Sequence, residues 1–470
     1  MAKDMFLEAI AEFLSQEQLI TNQSRHLSYV TSYRGLFYNP VKAVLLPRNT
    51  TEVSKILYTA NKYKQAIVPQ GGNTGLVGGQ QGSSPGQVIV SLKRMNNILN
   101  INKFDRLATV ESGVILSDLH SKLKDYSLMF PLQLASQQLC QIGGNLASNA
   151  GGVAVLSYGS MRDLCMGIEV VLPDGSVVND LRSIKKDNMG YNIKDLFIGS
   201  EGTLGIITKA TLKLFPEVRS KETAYVAFSR IYDVLEFFLK AKQEFSYNLT
   251  SYELLSDFAM EIAMAFDQCN RNIFIDKHKW VVLLEISSFS LYDNVLTRLE
   301  KLLEDGISSG KVVDATIAQN DRDRAYFWTL RENLSPAQKL YGVSIKNDIS
   351  LPLSTMPEFL KEASSKLAAK YLGTRIVCFG HIGDGNLHYN IMQPKNMAGD
   401  DFIKLWDQIS EDINCLVHKY NGSIAAEHGV GQLKNISLKL YKDKNAYDLM
   451  RRLKMAIDPN EIMNPNKIFI

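Results

Sequence analysis

Three glycine-rich loops in the first half of the chain constrain its fold more than any other feature. The first, "VPQGGNTGLVGG" at residues 68–79, places five glycines among twelve residues directly after a strand-like run. The second and third, at residues 141–160 and 198–208, again combine glycine with serine or amide side chains. Glycine permits sharp turns and lets backbone N–H groups approach an anion closely. The three loops therefore predict one extended polar ligand that is wrapped by backbone.

The first loop on its own matches neither of the common phosphate-binding motifs. It lacks the GxxxxGK[ST] pattern of the Walker loop, and it is not a GxGxxG sequence that opens a helix. A tight surface turn is therefore the alternative interpretation of any one of these loops.

The composition and the periodicity of the sequence change near residue 218. Before it, short β-branched runs alternate with helical stretches, whereas after it glycine is sparse and longer amphipathic segments appear. A chain of 470 residues is also too long for a single hydrophobic core. The sequence therefore predicts an α+β fold with more than one sheet, divided into residues 1–218, 219–415 and 416–470.

Charge and composition exclude several classes of protein. A net charge of +3 gives no electrostatic reason to expect nucleic acid or an anionic membrane as a partner. No apolar run approaches the roughly 20 residues that span a bilayer, so we expect no integral membrane protein. Residues 1–19 lack a basic segment and predict an amphipathic helix rather than a targeting peptide, which favours a cytoplasmic location. The five scattered cysteines predict neither a disulfide framework nor a thiolate metal site.

Two of the seven histidines flank a predicted turn in "GHIGDGNLHYN", residues 380–390. The pair Asp384 and Gly385 lies between apolar runs, which predicts a β-hairpin with a two-residue loop. In that register His381 faces His388, and cross-strand partners lie roughly 5 Å apart at Cβ, which suits two ligands of one metal ion. Paired histidines on a hairpin also occur as satisfied core or surface residues, so this stretch alone leaves metal binding open.

Eight motifs occur in a fixed order along the chain: "TSYRG", "PQGGNTGLVGG", "QIGGNLASNAGG", "YGSMRDLCMGIEVVLPDG", "GSEGTLGIIT", "GHIGDGNLH", "AAEHGVG" and "NPNKIF". Together they resemble the vanillyl-alcohol oxidase type of flavoproteins over nearly the whole chain. Within that superfamily the chain is most similar to the D-2-hydroxy-acid dehydrogenases, and particularly to the D-2-hydroxyglutarate dehydrogenases. The resemblance implies a two-subdomain FAD-binding domain, rejoined by the C-terminal tail, and an α+β substrate cap domain.

The resemblance also implies where FAD is held. In that family the first loop holds the pyrophosphate, and the other two loops line the rest of the dinucleotide. The first loop contains no histidine, so we expect FAD to be bound non-covalently. The implied cofactor contacts are Pro69, Gly71, Gly72, Asn73, Thr74, Gly75, Gly78, Gly143, Gly144, Ser148, Asn149, Gly152, Glu201, Gly202, Gly205, Ile207 and Asn464.

The resemblance gives the histidines a joint role. A catalytic zinc needs around three protein ligands and an open position, and the family pattern implies His381, His388 and Glu427 as those ligands. His428 then matches the general base. A divalent cation would lower the pKa of a substrate hydroxyl, a neutral imidazole would take the proton, and hydride would leave Cα for flavin N5. Without the other motifs, Glu427 and His428 would be interpreted as an exposed loop pair before a helix.

Three further residues match the family positions that hold acid substrates: Arg331, Ser335 and Lys346. Asn390, two residues beyond His388, would share that face of its strand and is a fourth candidate. Two cations beyond the metal fit a dicarboxylate better than a monocarboxylate such as lactate. Pro336 is a departure, because it would stop a continuous helix and would suit Ser335 as an N-cap. The alternative for Arg331 is an ion pair with a nearby acid such as Glu332 or Asp323.

These expectations combine into one predicted activity, the metal-assisted and FAD-dependent oxidation of a D-2-hydroxy acid. D-2-hydroxyglutarate is the expected substrate and 2-oxoglutarate the product. The enzymatic alternatives are D-lactate, D-malate or glycolate dehydrogenases of the same family. From other classes, the alternatives are a non-redox flavin transferase and a zinc hydrolase in which the glycine-rich loops are structural. The expected electron acceptor is an electron-transfer flavoprotein or a quinone, and a homodimer is compatible with the resemblance.

Overall fold

The computed structural model describes residues 4–267 and 271–470, which form two compact units. The first unit comprises the chain up to Gly152, then Gly159–Glu217 and Glu427–Ile470. The second comprises Val153–Tyr158 and Val218–Ala426. Residue 416, where the sequence placed the start of the last segment, lies inside a helix of the second unit, Trp406–Lys419. The fold is α+β, and the predicted fold class is confirmed.

The first unit contains a four-stranded sheet made of β1 (Leu19–Ile20), β2 (Ala43–Leu45), β3 (Ile67–Gln70) and β4 (Val88–Ser91). The strand order is β1-β2-β4-β3, with β2, β4 and β3 parallel and β1 antiparallel at the edge. Every residue of β4 is buried, as expected for a parallel strand covered on both faces. Pro69 lies in the edge strand β3, where a missing N–H is tolerated. The first glycine-rich loop follows directly from β3.

A second sheet of the first unit is antiparallel throughout. Its strands are β5 (Ile98–Asn102), β6 (Leu107–Glu111), β8 (Cys165–Val171), β9 (Val177–Asp180) and β10 (Ile206–Lys213), in the order β5-β6-β10-β8-β9. The third glycine-rich loop leads into β10. A short pair joins β7 (Leu128–Met129) to β11 (Phe215–Pro216).

The described residues of the first unit include nine α-helices beside these sheets. The amphipathic N-terminal helix predicted for residues 1–19 covers Met5–Ala11 only, where Phe6 and Ile10 are buried and Asp4 caps the first turn. The other eight are Leu27–Val30, Thr50–Tyr63, Leu116–Lys124, Ile142–Ala147, Met161–Leu164, Lys194–Phe197, Asn435–Tyr441 and Lys444–Ile457. A 3₁₀ turn covers Gln23–Arg25.

The C-terminal tail is fixed to the first unit by a buried ion pair. Lys454 forms this pair with Asp458, which is fully buried, and donates hydrogen bonds to the carbonyls of Thr203 (2.8 Å) and Met463 (2.9 Å). Asp458 also accepts from the backbone N–H of Met463 at 2.8 Å. Met463 in turn forms a parallel bridge with Ile67 of β3. The tail therefore reaches the strand that precedes the first glycine-rich loop.

The second unit is built on one antiparallel sheet of eight strands. They are β12 (Ser220–Phe228), β13 (Leu249–Ser256), β14 (Trp280–Ser288), β15 (Asp314–Ile317), β16 (Ser344–Ile345), β17 (Asp348–Ser350), β18 (Arg375–Gly380) and β19 (Asn386–Met392). The order is β15-β12-β14-β13-β18-β19-β16, and β17 also pairs with β19. Side chains alternate between the two faces. Leu254, Cys378 and Tyr389 pack into one core cluster, whereas Leu255 and Phe379 pack into another.

Among its described residues, the second unit has nine α-helices, which cover this sheet: Val155–Tyr158, Ile231–Phe245, Asp257–Phe266, Val295–Ser308, Asp321–Glu332, Leu334–Ala337, Met356–Lys370, Gly399–Ile403 and Trp406–Lys419. Short 3₁₀ turns occupy Ser246–Asn248, Gln338–Tyr341, Leu353–Thr355 and Ile382–Asp384. In the described parts of the chain, no helix is both long and apolar enough to cross a membrane. Cys140, Cys165 and Cys378 are buried free thiols and Cys415 is an exposed one, whereas Cys269 lies outside the described residues.

The predicted hairpin exists between β18 and β19, but its predicted register is wrong. Phe379, not His381, is the cross-strand partner of His388. The strands separate earlier than expected because a 3₁₀ turn at Ile382–Asp384 lengthens the connection, and Gly385 closes it with φ 85°. His381 therefore lies just beyond the end of β18.

We predict that Asp458→Ala lowers the free energy of unfolding by about 3–5 kcal/mol, because it leaves the buried Lys454 ammonium without its carboxylate. Asp443 is the matched control at the other end of the same helix, where its exposed side chain caps Ala446. Asp443→Ala should cost only about 1 kcal/mol. Urea unfolding of both variants measures the difference, and equal losses would contradict the role of the buried pair.

Candidate functional site

A cleft in the first unit is lined by residues from all three glycine-rich loops. The loops follow β3, surround the helix Ile142–Ala147 and precede β10, so the two sheets bring them to one place. This convergence is what the sequence predicted for one extended ligand. The predicted cofactor residues that line the cleft are Pro69, Gly71, Gly72, Asn73, Thr74, Gly75, Gly143, Gly144, Ser148, Glu201, Gly202, Gly205 and Ile207.

Four other predicted cofactor residues lie outside the lining of this cleft and instead pack against or hydrogen-bond to neighbouring segments. Gly78 has φ +75°, and a Cβ there would meet the Phe37 ring at 2.8 Å. Asn149 accepts a hydrogen bond from the backbone N–H of Arg162 at 2.9 Å. Gly152 packs against the carbonyl of Gln133. Asn464 donates to the carbonyls of Gly79 and Glu201 at 2.9 and 2.6 Å.

Two glycines allow backbone to approach backbone or a neighbouring side chain more closely than any other residue would. A Cβ on Gly72 would lie 1.9 Å from the carbonyl oxygen of Leu139. A Cβ on Gly143 would lie 2.6 Å from the Cβ of Ser112. Each of the first two loops is thus packed against a neighbouring segment at a distance that requires glycine.

Three buried polar atoms in the lining of the cleft have no hydrogen-bond partner among residues 4–267 and 271–470. They are Gln70 Oε1, Ser112 Oγ and Gln141 Oε1. Leaving a buried polar group unsatisfied is costly, so such atoms indicate a place for a polar ligand. The sequence analysis missed all three, although Gln70 and Gln141 lie within the first and second glycine-rich loops.

His428 lies at the same cleft, as its predicted role requires, on the loop that follows Glu427. Its Nε2 is 3.3 Å from Glu427 Oε1, and its side chain is 19% exposed. The next residues of this loop, Val430 and Gly431, donate their backbone N–H groups to the carboxylate of Glu201. An imidazole therefore borders the space that the three loops enclose.

In the second unit, one carboxylate holds two of the predicted site residues. Glu253 of β13 accepts from Arg331 Nε at 2.9 Å, and its other oxygen lies 2.7 Å from His381 Nδ1. Burial alone would raise the pKa of Glu253, but His381 and Arg331 lower it to about 2. Glu253 is 1% exposed, so this is a desolvated ion pair. The alternative expectation for Arg331, an ion pair with an acid, is met by Glu253 and not by the two acids suggested, of which Asp323 pairs with Arg271.

His388 lies beside this group on β19. The His381 and His388 rings are perpendicular, with centroids 5.7 Å apart, so the two predicted ligands are close despite the wrong register. Asp348 of β17 is the cross-strand neighbour of His388, and its Oδ1 lies 3.7 Å from His388 Nδ1. Asn386 donates to the same Asp348 oxygen at 3.0 Å. The second unit thus presents two imidazoles and a buried carboxylate together.

The remaining predicted substrate residues differ in burial. Asn390 is buried, and its Nδ2 donates to Gln338 Oε1 at 3.0 Å. Lys346 is half-buried between β16 and β17. Ser335 is exposed and is not an N-cap, because Asn333 begins the short helix Leu334–Ala337. Pro336 lies in the first turn of that helix, where proline is tolerated.

Comparison with known proteins places the chain in a family. Residues 217–468 match the family model "FAD linked oxidases, C-terminal domain", and residues 41–180 match "FAD binding domain". The chain belongs to the FAD-linked oxidases. It is an FAD-dependent dehydrogenase, which confirms the enzyme class that the motifs predicted.

Relatives of this FAD-linked oxidase cover almost all of it. A probable mitochondrial D-2-hydroxyglutarate dehydrogenase from Oryza sativa subsp. indica is 35% identical over 93% of the chain and 76% of that protein. D-2-hydroxyglutarate dehydrogenase from Stutzerimonas stutzeri is 33% identical over 100% of both chains. A putative mitochondrial D-lactate dehydrogenase from Schizosaccharomyces pombe is 34% identical over 94% of the chain and 84% of that protein. The predicted family resemblance is confirmed.

Solved structures of more distant proteins share the fold. p-Cresol methylhydroxylase has a TM-score of 0.79 at 16% identity, covering 99% of this chain and 96% of that one. Alkyldihydroxyacetonephosphate synthase has a TM-score of 0.75 at 18% identity, covering 99% of this chain and 85% of that one. The vanillyl-alcohol oxidase type of fold is thereby confirmed. FAD also fits the cleft of the first unit, whose close glycine backbone and unsatisfied polar atoms suit an extended dinucleotide.

We predict that Gly72→Ala weakens FAD binding at least about tenfold, because the new Cβ would clash with the Leu139 carbonyl and must shift the first glycine-rich loop, which lines the cleft. Gly86→Ala is the matched control, since a Cβ there has open space within 4 Å. Titration of the FAD-depleted protein with FAD measures both dissociation constants. Similar affinities in the two variants would contradict the packing of the loop.

A buried lysine predicts how stability depends on pH. Burial lowers the pKa of Lys467 to about 7, although Glu201 opposes the shift. Between pH 7 and the ordinary lysine pKa of about 10.4, the unfolded chain therefore binds more protons, so stability rises with pH. From pH 7 to 9 the wild type should gain about 2 kcal/mol more than Lys467→Met. The exposed Lys442 gives the control, Lys442→Met, which should follow the wild type in urea unfolding.

Proposed function

We propose that this enzyme oxidises D-2-hydroxyglutarate to 2-oxoglutarate with the help of a divalent metal ion, best matched by zinc. One observation carries the proposal: Glu253 holds the guanidinium of Arg331 and the imidazole of His381 on the same carboxylate. A fixed cation and a candidate metal ligand thus lie side by side in the second unit. A dicarboxylate offers one end to a metal and the other to a cation.

The donor set of the second unit fits zinc. Neutral imidazoles and carboxylates are common zinc ligands, and a ligating histidine usually gives its other ring nitrogen to a carboxylate. Glu253 lies against Nδ1 of His381 in this way, and His381 would bind the metal through Nε2. His381 and His388 would be two ligands, and we keep Glu427 as the third on the strength of the "AAEHGVG" motif. Asp348 is a further candidate beside His388.

The chain's own residues have distinct roles in the proposed reaction. His428, at the FAD cleft of the first unit, takes the proton of the substrate hydroxyl at its imidazole. Bound FAD supplies the hydride acceptor, and the metal ion supplies a Lewis acid for the hydroxyl and carboxylate. Arg331 and Lys346 bind the distal carboxylate by charge-assisted hydrogen bonds. Asn390, two residues beyond His388 on the same face of β19, orients the substrate together with Ser335.

The pairing of Arg331 with Glu253 is compatible with carboxylate binding. A guanidinium has five N–H donors, and Glu253 occupies its Nε and Nη2 edge. The ion pair therefore fixes the plane of Arg331, while Nη1 lies outside that fork. A fixed guanidinium loses less conformational entropy when it binds a second carboxylate.

D-lactate oxidation is the second candidate, because one relative is named putative D-lactate dehydrogenase. D-malate and glycolate are further alternatives within the family. The structural similarity to alkyldihydroxyacetonephosphate synthase supports the fold alone and not a transferase reaction. The electron acceptor, whether an electron-transfer flavoprotein or a quinone, the cytoplasmic location and a homodimer stay predictions.

We predict that His428→Ala keeps the metal but slows reduction of bound FAD by at least about 100-fold, the low end for loss of a general base. His381→Ala should instead lose the metal itself. His418→Ala, on an exposed helix position, is the control for both measurements. Elemental analysis and anaerobic flavin reduction separate the two roles. Stoichiometric zinc in His381→Ala would contradict the metal site, and wild-type reduction in His428→Ala would contradict the base.

We predict that Lys346→Met lowers catalytic efficiency toward D-2-hydroxyglutarate much more than toward D-lactate, because methionine keeps the aliphatic stem and removes the charge. The wild type should prefer D-2-hydroxyglutarate over D-lactate at least about tenfold, since charge-assisted contacts contribute roughly 1.5–3 kcal/mol each. D-malate, one methylene shorter, should fall between them. Equal losses on all three substrates would assign Lys346 to the hydroxy-acid end that they share.

A further inference from the structure

The loop that carries His428 is bound to a carboxylate from the third glycine-rich loop. Val430 N donates to Glu201 Oε1 and Gly431 N donates to Glu201 Oε2, each at 2.7 Å. All of these residues belong to the first unit. Both oxygens of the Glu201 carboxylate therefore accept hydrogen bonds from backbone N–H groups that lie two and three residues after His428.

Two glycines of the His428 loop pack closely against Glu201 and Val77. Gly429 has φ +82°, and a Cβ there would lie 2.7 Å from Glu201 Oε1. Gly431 has φ +53°, and a Cβ there would lie 2.2 Å from the Val77 carbonyl oxygen. The residue after Gly431, Gln432, donates its backbone N–H to the same carbonyl at 2.9 Å. The His428 loop is thus held between the first and third glycine-rich loops.

Both backbone polar groups of Glu201 are hydrogen-bonded. Its backbone N–H donates to the Ala147 carbonyl at 2.8 Å, and its carbonyl accepts from Asn464 Nδ2 at 2.6 Å. Its φ of 52° is rare for a residue other than glycine. Burial raises the pKa of Glu201, and the two backbone donors and Lys467 act against that rise.

We propose that Glu201 is a positioning residue that holds the His428 imidazole at the FAD cleft. The family resemblance implied a cofactor contact for Glu201, and the residue does line the cleft. Its carboxylate oxygens, however, accept hydrogen bonds from the His428 loop. This inference rests on the proposed function, in which His428 takes the substrate proton.

The carboxylate is needed because both groups that it meets are donors. A glutamine at position 201 has one carbonyl oxygen to accept one N–H, and its NH₂ group would face the other N–H. Glu201→Gln should therefore release one side of the loop. Hydrogen bonds to a charged group are strong enough that the reduction rate of bound FAD should fall at least about tenfold. The affinity for substrate should change much less than this limiting rate.

The test is a double-mutant cycle with anaerobic stopped-flow reduction of bound FAD at saturating FAD. The proteins are the wild type, Glu201→Gln, His428→Ala and the double variant. If Glu201 acts through His428, then Glu201→Gln slows the wild type but has no further effect in the His428→Ala background. Glu52→Gln is the control, because Glu52 also accepts a backbone N–H, that of Arg48 at 2.8 Å. That variant should reduce at the wild-type rate.

Gly429→Ala is the second variant, in case Glu201→Gln fails to fold or to bind FAD. It leaves the Glu201 carboxylate in place but pushes the loop away from it, so it should reproduce the loss and the dependence on His428. A wild-type rate in Glu201→Gln or Gly429→Ala overturns the inference. So does a loss that persists in full when His428 is alanine. Wild-type reduction in His428→Ala alone overturns the proposed function instead, and this distinguishes the two failures.

Discussion

Nothing larger than a hydrogen atom fits on Cα of Gly72, where a Cβ would lie 1.9 Å from the Leu139 carbonyl oxygen. This close approach fixes the first glycine-rich loop, which lines the FAD cleft, against the backbone just before the second loop. The third loop adds Glu201, and the His428 loop is bound to that residue. Cofactor site and proposed base therefore depend on the same packing of backbone, with few side chains between.

In the second unit, charged groups are held in fixed positions away from water. Glu253 is buried in β13, and it is stable there because Arg331 and His381 both bind it. A buried carboxylate with two partners orients each of them, at the cost of removing three charged or polar groups from water. The ion pairs therefore orient the His381 imidazole and the Arg331 guanidinium before any substrate binds.

Local patterns were enough to predict the three loops and the α+β fold, because these depend on glycine spacing and strand periodicity. The role of His428 came from the family resemblance of its motif. Contacts between distant strands were not visible in this way. Glu253 lies 78 residues before Arg331 and 128 before His381. An acidic residue inside a buried strand is the one local feature that marks it. The register of the His381 hairpin was wrong because a short 3₁₀ turn replaced the two-residue loop. Such a choice depends on packing around the turn.

We propose that this FAD-dependent dehydrogenase takes hydride from a D-2-hydroxy dicarboxylate. The most direct measurement mixes the purified, metal-loaded enzyme anaerobically with the D- and L-enantiomers of 2-hydroxyglutarate, malate and lactate, and follows the visible absorbance of the bound flavin. The account predicts rapid loss of that absorbance with D-2-hydroxyglutarate at the lowest concentration, and none with its L-enantiomer. Faster reduction by D-lactate, or equal reduction by both enantiomers, would contradict it.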